Sequence, residues 1–356
     1  HMAPRLMRWF PLNELDVQYY DLVARRVAEA VEQAVSNLAP ARIGAGVASR
    51  GDYLVNRRWI RATPGTNPFG EQVDKVAMGS GPVKDGPVKD GPVKDRLIGP
   101  AGPIDPDLTI LSVQHAGGRP LALLGNYTAH YGAMKRKVAG ADYFGLFCER
   151  VARLVSAESI DPPFVGMMSN GASADVSSLR GATVEKATNA LAAEAVRICE
   201  STEYQDRGVI AMRESNIELD VRKPTSQRLA WAEKTLADSK TNSSRACIFA
   251  NEMLRMADLP DKMTVKLQAM RIGNAGIVAI PGEVFCETGL AIKKASPLKP
   301  TFVVSHANGW HGYLPPARQH ELGGMEVWLR RASYLEVDAE TKIRSEMIRL
   351  LRELAE

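Results

Sequence analysis

The stretch from Ile277 to Trp328 constrains the fold most strongly, because it places a helix pattern between two buried-strand patterns. Ile277 to Ile280 is a short apolar run that ends at Pro281-Gly282, which predicts a buried strand. A helix pattern then extends to about Lys294, and a second apolar strand is predicted at Thr301 to Val304. A strand, a helix and a strand in this order indicate an α/β protein.

Polar side chains follow both of these predicted strands. Glu283 comes directly after the first strand, where it also fits an acid in the first turn of a helix, favoured by the helix dipole. Open α/β sheets bind ligands at the carboxyl ends of their strands, so the two strand ends predict one polar site. The loop after the second strand contributes His306, Asn308, Trp310, His311 and Tyr313.

Composition excludes several classes of protein. The chain has 356 residues, which fits two domains or one large α/β domain, and its 45% apolar and 24% charged residues are those of an ordinary globular protein. No apolar run approaches the roughly 18 to 20 residues of a membrane span, so no transmembrane segment is expected. The net charge of +4 comes from scattered basic residues, and nucleic acid binding is not expected.

The four cysteines lie far apart and lack the spacing of a zinc site. Cys148, Cys199, Cys247 and Cys286 therefore read as reduced, buried thiols. Reduced thiols favour a reducing compartment such as the cytoplasm. The localisation stays open, because a signal ahead of His1-Met2 would not be visible in this sequence.

The N-terminal third contains a helix, a basic motif and a repeat. Apolar residues recur at helical spacing from Val17 to Leu38, which predicts an amphipathic helix. Arg57, in Asn56-Arg57-Arg58, is either an exposed loop residue or a binder of an oxyanion or carboxylate. Residues 81 to 95 repeat GPVKD three times and predict a flexible surface loop.

Two strands are predicted at Leu108 to Gln114 and Pro120 to Tyr127, joined by a glycine turn. His130 follows the second strand. A lone histidine at such a position is more often a packing or surface residue than a metal ligand.

A third predicted strand, Pro163 to Met168, opens into a loop of small residues that extends to Ser178. Small residues permit close backbone approach, so the amides of this loop are candidates for an oxyanion nest. Ser173 lacks the second glycine of a Gly-x-Ser-x-Gly elbow, which argues against a conventional serine hydrolase triad. The chain from Thr183 to Ala257 reads as scaffold, and Asp338 to Leu354 as a closing amphipathic helix.

Three motifs resemble the neutral/alkaline (non-lysosomal) ceramidase family, including its short bacterial relatives. They are PGEVFCETGLAIK, ANGWHGYLPPA and GGMEVW, and the resemblance extends from about Asp16 to Trp328. It implies an α/β fold with a layered mixed β-sheet and flanking helices over residues 1–356 as a single catalytic domain. A C-terminal immunoglobulin-like domain, present in the longer ceramidases, is not expected.

The resemblance also implies roles for individual residues. His130, in Asn-Tyr-x-x-His, and Glu283, in the Pro-Gly-Glu turn, correspond to ligands of a catalytic Zn²⁺. Arg57 and Ser177 correspond to groups that contact the substrate amide, and Tyr313 is a candidate donor to it. The implied activity is zinc-dependent hydrolysis of an amide bond in an N-acyl, ceramide-like substrate, with the metal activating water.

The sequence departs from the family pattern at two points. The family's first zinc histidine lies in a His-x-His segment upstream of the Val17 helix, so the chain is expected to be N-terminally truncated. Trp310 stands where the family has a tyrosine ligand. A catalytic zinc normally has three protein ligands, so His311, His306, a missing N-terminal segment or an oligomer partner is expected to complete the shell. The alternative function is a non-catalytic relative or fragment that binds a small ligand.

Overall fold

The computed structural model describes residues 14–79, 97–134, 140–157, 161–239 and 244–356. The predicted GPVKD loop at residues 81 to 95 lies outside them. Within the described residues the strands, in chain order, are β1 (Ala41–Ser49), β2 (Arg58–Thr66), β3 (Gln72–Met78), β4 (Leu97–Pro100), β5 (Asp107–His115), β6 (Pro120–Tyr127), β7 (Val165–Asn170), β8 (Ile210–Asp220), β9 (Lys262–Ile272), β10 (Ala275–Ile280), β11 (Glu283–Val284), β12 (Thr301–Ser305) and β13 (Tyr313–Leu314).

The helices of the same ranges include those predicted at Val17 to Leu38, after Glu283 and at Asp338 to Leu354. They are α1 (Glu14–Ser36), α2 (Asp142–Leu154), α3 (Val184–Ser201), α4 (Ser226–Ala237), α5 (Arg245–Ala257), α6 (Cys286–Ala295), α7 (Ala317–Leu322) and α8 (Ala339–Ala355). Side-chain caps explain several of the boundaries. Thr183, Thr225 and Ser244 accept hydrogen bonds from backbone amides in the first turns of α3, α4 and α5.

Two mixed four-stranded sheets form the centre of the fold. The first has the order β1-β5-β6-β7, with β6 and β7 parallel and the other neighbours antiparallel. The second has the order β12-β10-β9-β8, with β10 and β12 parallel and the others antiparallel. In both sheets the parallel pair brings two strand ends to the same edge, and polar loops follow those ends.

The alternation of side chains along the strands produces four layers. Ile277 of β10 packs with Leu111 of β5 and Phe302 of β12 between the two sheets. Val278 and Ile280, on the other face of β10, pack in the cluster that includes the core of α8. The outer face of the first sheet packs against α2 and α3. The order is therefore helices, sheet, sheet and helices, and the predicted layered α/β fold is confirmed.

The helix α1 forms where the periodicity predicts it, and its apolar face is exposed. Val27, Val31 and Val35 are 59%, 58% and 61% exposed. Periodicity fixes which side of a helix is apolar, and only tertiary packing decides whether anything covers that side. Within the described ranges, no helix is long and apolar enough to cross a membrane.

Candidate active site

The candidate site lies where loops from the two facing sheets meet. Asn126 Nδ2 at the end of β6 donates to the carbonyl of Val303 in β12 at 3.1 Å, and Ser305 Oγ donates to the carbonyl of Gly171 at 2.7 Å. These bonds hold the carboxyl ends of β6, β7 and β12 together. The side chains predicted from separate strands therefore converge on one place.

Glu283 is fixed in position by the short parallel pair of β11 and β13. Its amide donates to the carbonyl of Gly312 at 2.8 Å, and Glu283 is in register with Tyr313. Gly312 has a φ of +77°, and a Cβ there would lie 2.3 Å from the carbonyl oxygen of Ala332. Only glycine fits at this position. Gly312 therefore permits the turn that brings Tyr313 alongside Glu283.

His130 and Glu283 are buried groups that affect each other. His130 Nδ1 and Glu283 Oε2 are both buried, and neither has a hydrogen-bond partner. Burial lowers the pKa of His130, as does the charge of Arg57, while Glu283 raises it. Burial raises the pKa of Glu283, and the charges of His130 and Arg57 oppose that rise. A buried imidazole nitrogen and a buried carboxylate oxygen that both lack partners are unusual in a purely structural setting.

Arg57 is directed toward the same place by a chain of polar contacts. Its Nη2 donates to the hydroxyl of Tyr313 at 3.2 Å, and its Nε lies 3.5 Å from Oε1 of Glu326. Glu326 is fully buried, and its other oxygen pairs with Arg58. Burial raises the pKa of Tyr313, as does the charge of Glu283, so the phenol keeps its proton near pH 7.

Ser177 lies next to His130 through the backbone. The amide of His130 donates to the carbonyl of Ser177 at 3.1 Å, and the amide of Ser177 donates to the carbonyl of Val55 at 2.9 Å. The Ser177 Oγ is buried and has no hydrogen-bond partner. Its hydroxyl is therefore free to contact a ligand that enters the site.

The amides of the small-residue loop are largely occupied by protein carbonyls. The amides of Gly171, Ala174 and Ser177 donate to carbonyls outside the loop at 2.8 to 2.9 Å, and the amide of Val176 donates to the carbonyl of Ser173 within it at 3.1 Å. The prediction of an oxyanion nest therefore fails for these four amides, because each has already satisfied its donor within the fold. Small residues here permit close packing of loops instead.

Asp175 is the residue that organises these loops. One carboxylate oxygen accepts from the amide of Cys286 at 2.8 Å, at the start of α6, and the other accepts from Asn56 Nδ2 at 2.8 Å. Its carbonyl accepts from the amide of Arg57 at 2.7 Å. Asp175 thus joins the loop before β2, the loop after β7 and the turn that carries Glu283.

Two solved ceramidase structures share this architecture. A neutral ceramidase from Pseudomonas aeruginosa aligns with a TM-score of 0.59 and 14% identity, over 92% of this chain and 54% of its own. A ceramidase complexed with C2 aligns with a TM-score of 0.60 and 13% identity, over 91% of this chain and 55% of its own. No protein-family model and no curated protein matches the sequence.

This chain has the fold of the neutral ceramidases. It spans about half the length of the two ceramidases that it matches. The resemblance stated from the motifs is confirmed at the level of fold, and the roles of individual residues stay predictions. On this ceramidase fold the structure brings together Arg57, His130, Ser177, Glu283 and Tyr313.

The predicted metal ligand His311 makes a different contact. Its Nδ1 lies 2.6 Å from the hydroxyl of Tyr334, which is 1% exposed, and burial alone lowers the pKa of His311 to about 4. By contrast, Nε2 of His306 lies 3.6 Å from Oε2 of Glu283. Burial also lowers the pKa of His306, so this pair is a neutral ring beside a carboxylate and not an ion pair at neutral pH.

Zinc, which the family resemblance implies, has two fitting donors on this ceramidase fold. Imidazole nitrogen and carboxylate oxygen are ordinary zinc ligands, and His130 Nδ1 and Glu283 Oε2 are buried without partners. Over the part of the chain that the structure describes, no group of three His, Cys, Asp or Glu side chains is arranged to hold a metal ion. The donor chemistry therefore fits zinc through two residues, and a third donor is not in place there.

Sequence reasoning missed Asp175 and Glu326 as organising residues. Asp175 was visible only as the residue that broke a serine-elbow pattern, and Glu326 only as part of GGMEVW. No local pattern marks either residue, because their partners are distant in the chain. Asp175 and its partner Cys286 are 111 residues apart, and Glu326 and its partner Arg58 are 268 residues apart. A buried carboxylate that links distant loops is recognised only from tertiary contacts.

Proposed function

We propose that this chain is a zinc-dependent hydrolase that cleaves the amide bond of an N-acyl, ceramide-like substrate. The observation that carries the proposal is the pair of buried, unpartnered donors, His130 Nδ1 and Glu283 Oε2, beside the Arg57–Tyr313 contact. The ceramidase fold supports the reaction class. The family resemblance of the surrounding motifs supports the choice of metal and substrate.

In this proposal His130 and Glu283 hold the zinc ion. When bound, zinc polarises a carbonyl and makes water more acidic, which is the chemistry that amide hydrolysis needs near neutral pH. Glu283 must be ionised and His130 neutral to present lone pairs, and burial of His130 favours its neutral form. Their burial excludes competing water and strengthens the electrostatic interactions of the site.

Arg57 and Tyr313 act on the substrate oxygen. Arg57 donates to the Tyr313 hydroxyl, so the phenolic proton is free to point toward a ligand. Glu326 lies against the Nε of Arg57 and fixes the direction of the guanidinium. Both donors are in place before reaction, and such preorganised donors stabilise negative charge that develops on the scissile carbonyl oxygen.

Ser177, whose carbonyl accepts from the His130 amide, contributes a hydroxyl. Its Oγ is buried and unpartnered, so a ligand amide can replace the missing hydrogen bond. We assign it to orienting the substrate amide. A hydrocarbon ligand cannot form this hydrogen bond and would leave the hydroxyl buried without a partner. The site should therefore bind amides in preference to simple hydrocarbons.

The second candidate is a ceramidase-like protein that binds a small ligand without turning it over. Two observations favour it: Trp310 occupies the position of the family's tyrosine ligand, and the described residues hold no group of three metal donors. A binding protein would need Arg57, Tyr313 and Ser177 for its ligand but would tolerate loss of His130.

The test is a hydrolysis assay on a panel of N-acyl amides with added zinc and, separately, with a chelator. We expect activity that requires zinc and that falls at least about 100-fold in His130→Ala. His115→Ala is the matched control, because His115 lies at the opposite end of the same hairpin and contacts Arg119. Activity that survives both the chelator and His130→Ala would refute the zinc assignment. Ligand binding without turnover would establish the second candidate.

A further inference from the structure

The backbone of His306 is held next to the turn that carries Glu283. His306 is the first residue after β12, its amide donates to the carbonyl of Gly282 at 3.2 Å, and the amide of Ala307 donates to the carbonyl of Ile280 at 3.2 Å. His306 has a φ of +58°, in the left-handed region that side chains other than glycine rarely adopt. Such conformations persist where surrounding contacts enforce them, often at functional sites.

The separation of the two side chains has a chemical meaning. Nε2 of His306 lies 3.6 Å from Oε2 of Glu283, which is too long for a hydrogen bond. Two ligands of one tetrahedral zinc ion, each at about 2.1 Å, lie about 3.4 Å apart. The observed separation is therefore close to that of two donors that share an ion, and Glu283 Oε2 has no other partner.

Two other candidate positions of the loop, Trp310 and His311, are less suited to ligation than His306. Trp310, at the position of the family's tyrosine ligand, carries an indole N–H that donates and has no lone pair for a metal. His311 has one ring nitrogen engaged with Tyr334. The His306 side chain is 34% exposed, so its ring is accessible from solvent.

We propose that His306, and not His311, is the third side-chain donor of a divalent metal site together with His130 and Glu283. This inference rests on the proposed function. The three donors are not yet clustered, so a ring rotates toward the ion when it binds. In this chain the loop thus replaces a tyrosine ligand with a histidine four residues earlier.

The experiment measures metal binding alone, with Zn²⁺ affinity from chelator competition and Co²⁺ absorption as the two readouts. The variants are His306→Asn, His311→Asn and His130→Ala in the full chain. Asparagine tolerates the left-handed conformation, so His306→Asn should fold, and thermal unfolding checks this. We expect His306→Asn to weaken Zn²⁺ binding at least about 10-fold and to change the Co²⁺ spectrum, and His311→Asn to leave both unchanged.

A fourth variant separates ligation from structural support. His306→Cys should add a thiolate-to-cobalt charge-transfer band to the Co²⁺ spectrum, which a residue that only supports the loop would not produce. The inference is wrong if the unmodified chain binds Zn²⁺, His130→Ala weakens this binding and His306→Asn leaves it unchanged. In that case the zinc site of the proposed function stands. Loss of binding in His311→Asn would identify His311 as the donor. No Zn²⁺ binding by the unmodified chain would overturn both proposals.

Discussion

Asp175 and Glu283 are both buried carboxylates at strand-end loops, yet their surroundings differ. Each oxygen of Asp175 accepts a hydrogen bond, from the amide of Cys286 and from Asn56. Glu283 Oε2 is buried without any such partner. Burial raises the pKa of both groups, so a pKa shift alone does not distinguish them. Their hydrogen-bond partners do distinguish them: Asp175 joins loops through both oxygens, whereas Oε2 of Glu283 has no partner in the protein.

Glu326 is an intermediate case. One of its oxygens pairs with Arg58 and the other lies against Arg57 without a hydrogen bond. It therefore stabilises the fold on one side and orients a site residue on the other. The three carboxylates thus differ in how many of their oxygens the protein satisfies: both in Asp175, one in Glu326, and not Oε2 in Glu283.

The largest effect is expected from Glu283→Gln. This change should lower kcat/KM at least about 100-fold, since a metal ligand supports several kcal/mol of transition-state stabilisation. The melting temperature should stay the same or rise, because an unpartnered buried carboxylate is replaced by a neutral amide. Glu287→Gln, four residues later and paired with Arg318, is the control that should keep its activity. A marked loss of stability in Glu283→Gln would show that Glu283, like Asp175, has a structural role.

The second effect is a dependence of the free energy of unfolding on pH, which the titration of Asp175 causes. Burial raises the pKa of Asp175 from 3.8 to about 6, although the bonds from Cys286 and Asn56 oppose the rise. The folded state then keeps a proton that the unfolded chain releases, so the stability contributed by Asp175 is greatest below about pH 4 and falls as pH rises to about 6. The shift corresponds to at most about 3 kcal/mol.

The measurement is the free energy of unfolding of the unmodified chain and of Asp175→Ala between pH 4 and pH 7. The difference between the two curves should shrink as pH rises. Asp206→Ala, which removes an exposed aspartate, should show no such trend. A difference that grows with pH would mean that the two hydrogen bonds outweigh burial.

The third effect is the difference in free energy of unfolding between the unmodified chain and Asp175→Ala at pH 7. Asp175→Ala should lower the free energy of unfolding by about 2 kcal/mol, because it leaves the Cys286 amide and the Asn56 side chain without acceptors in a buried place. Denaturant unfolding measures this loss. An Asp175→Ala protein that is as stable as the unmodified chain but inactive would reverse the comparison and make Asp175 a functional residue.

The smallest effect is expected from Tyr313→Phe. The change removes one hydroxyl that accepts from Arg57 and should lower kcat/KM about 5-fold, equivalent to about 1 kcal/mol. Stability should change little. Tyr204→Phe is the control, because it removes a hydroxyl that donates to Ser112 in another part of the fold. An unchanged kcat/KM would remove Tyr313 from the proposed pair of oxyanion donors, and a loss as large as that of Glu283→Gln would make its hydroxyl as important to the reaction as the proposed metal ligand.

The sequence alone determined several elements of this fold. The apolar run that became β10, the Pro281-Gly282 turn after it and the helix α6 that follows are local patterns, and each forms within a few residues of its prediction. Strand periodicity and turn residues act over short distances, so they are visible without a structure. The same patterns placed His130, Glu283 and the polar loop at strand ends.

Only the tertiary structure decided what those side chains meet. That His306 lies beside Glu283 while His311 contacts Tyr334, that Asp175 joins three loops, and that α1 exposes its apolar stripe all depend on contacts between distant segments. A sequence pattern specifies the face on which a residue lies. The partner on that face is set by the packing of two separate sheets, whose strands come from residues 41 to 305, and no local pattern carries that information.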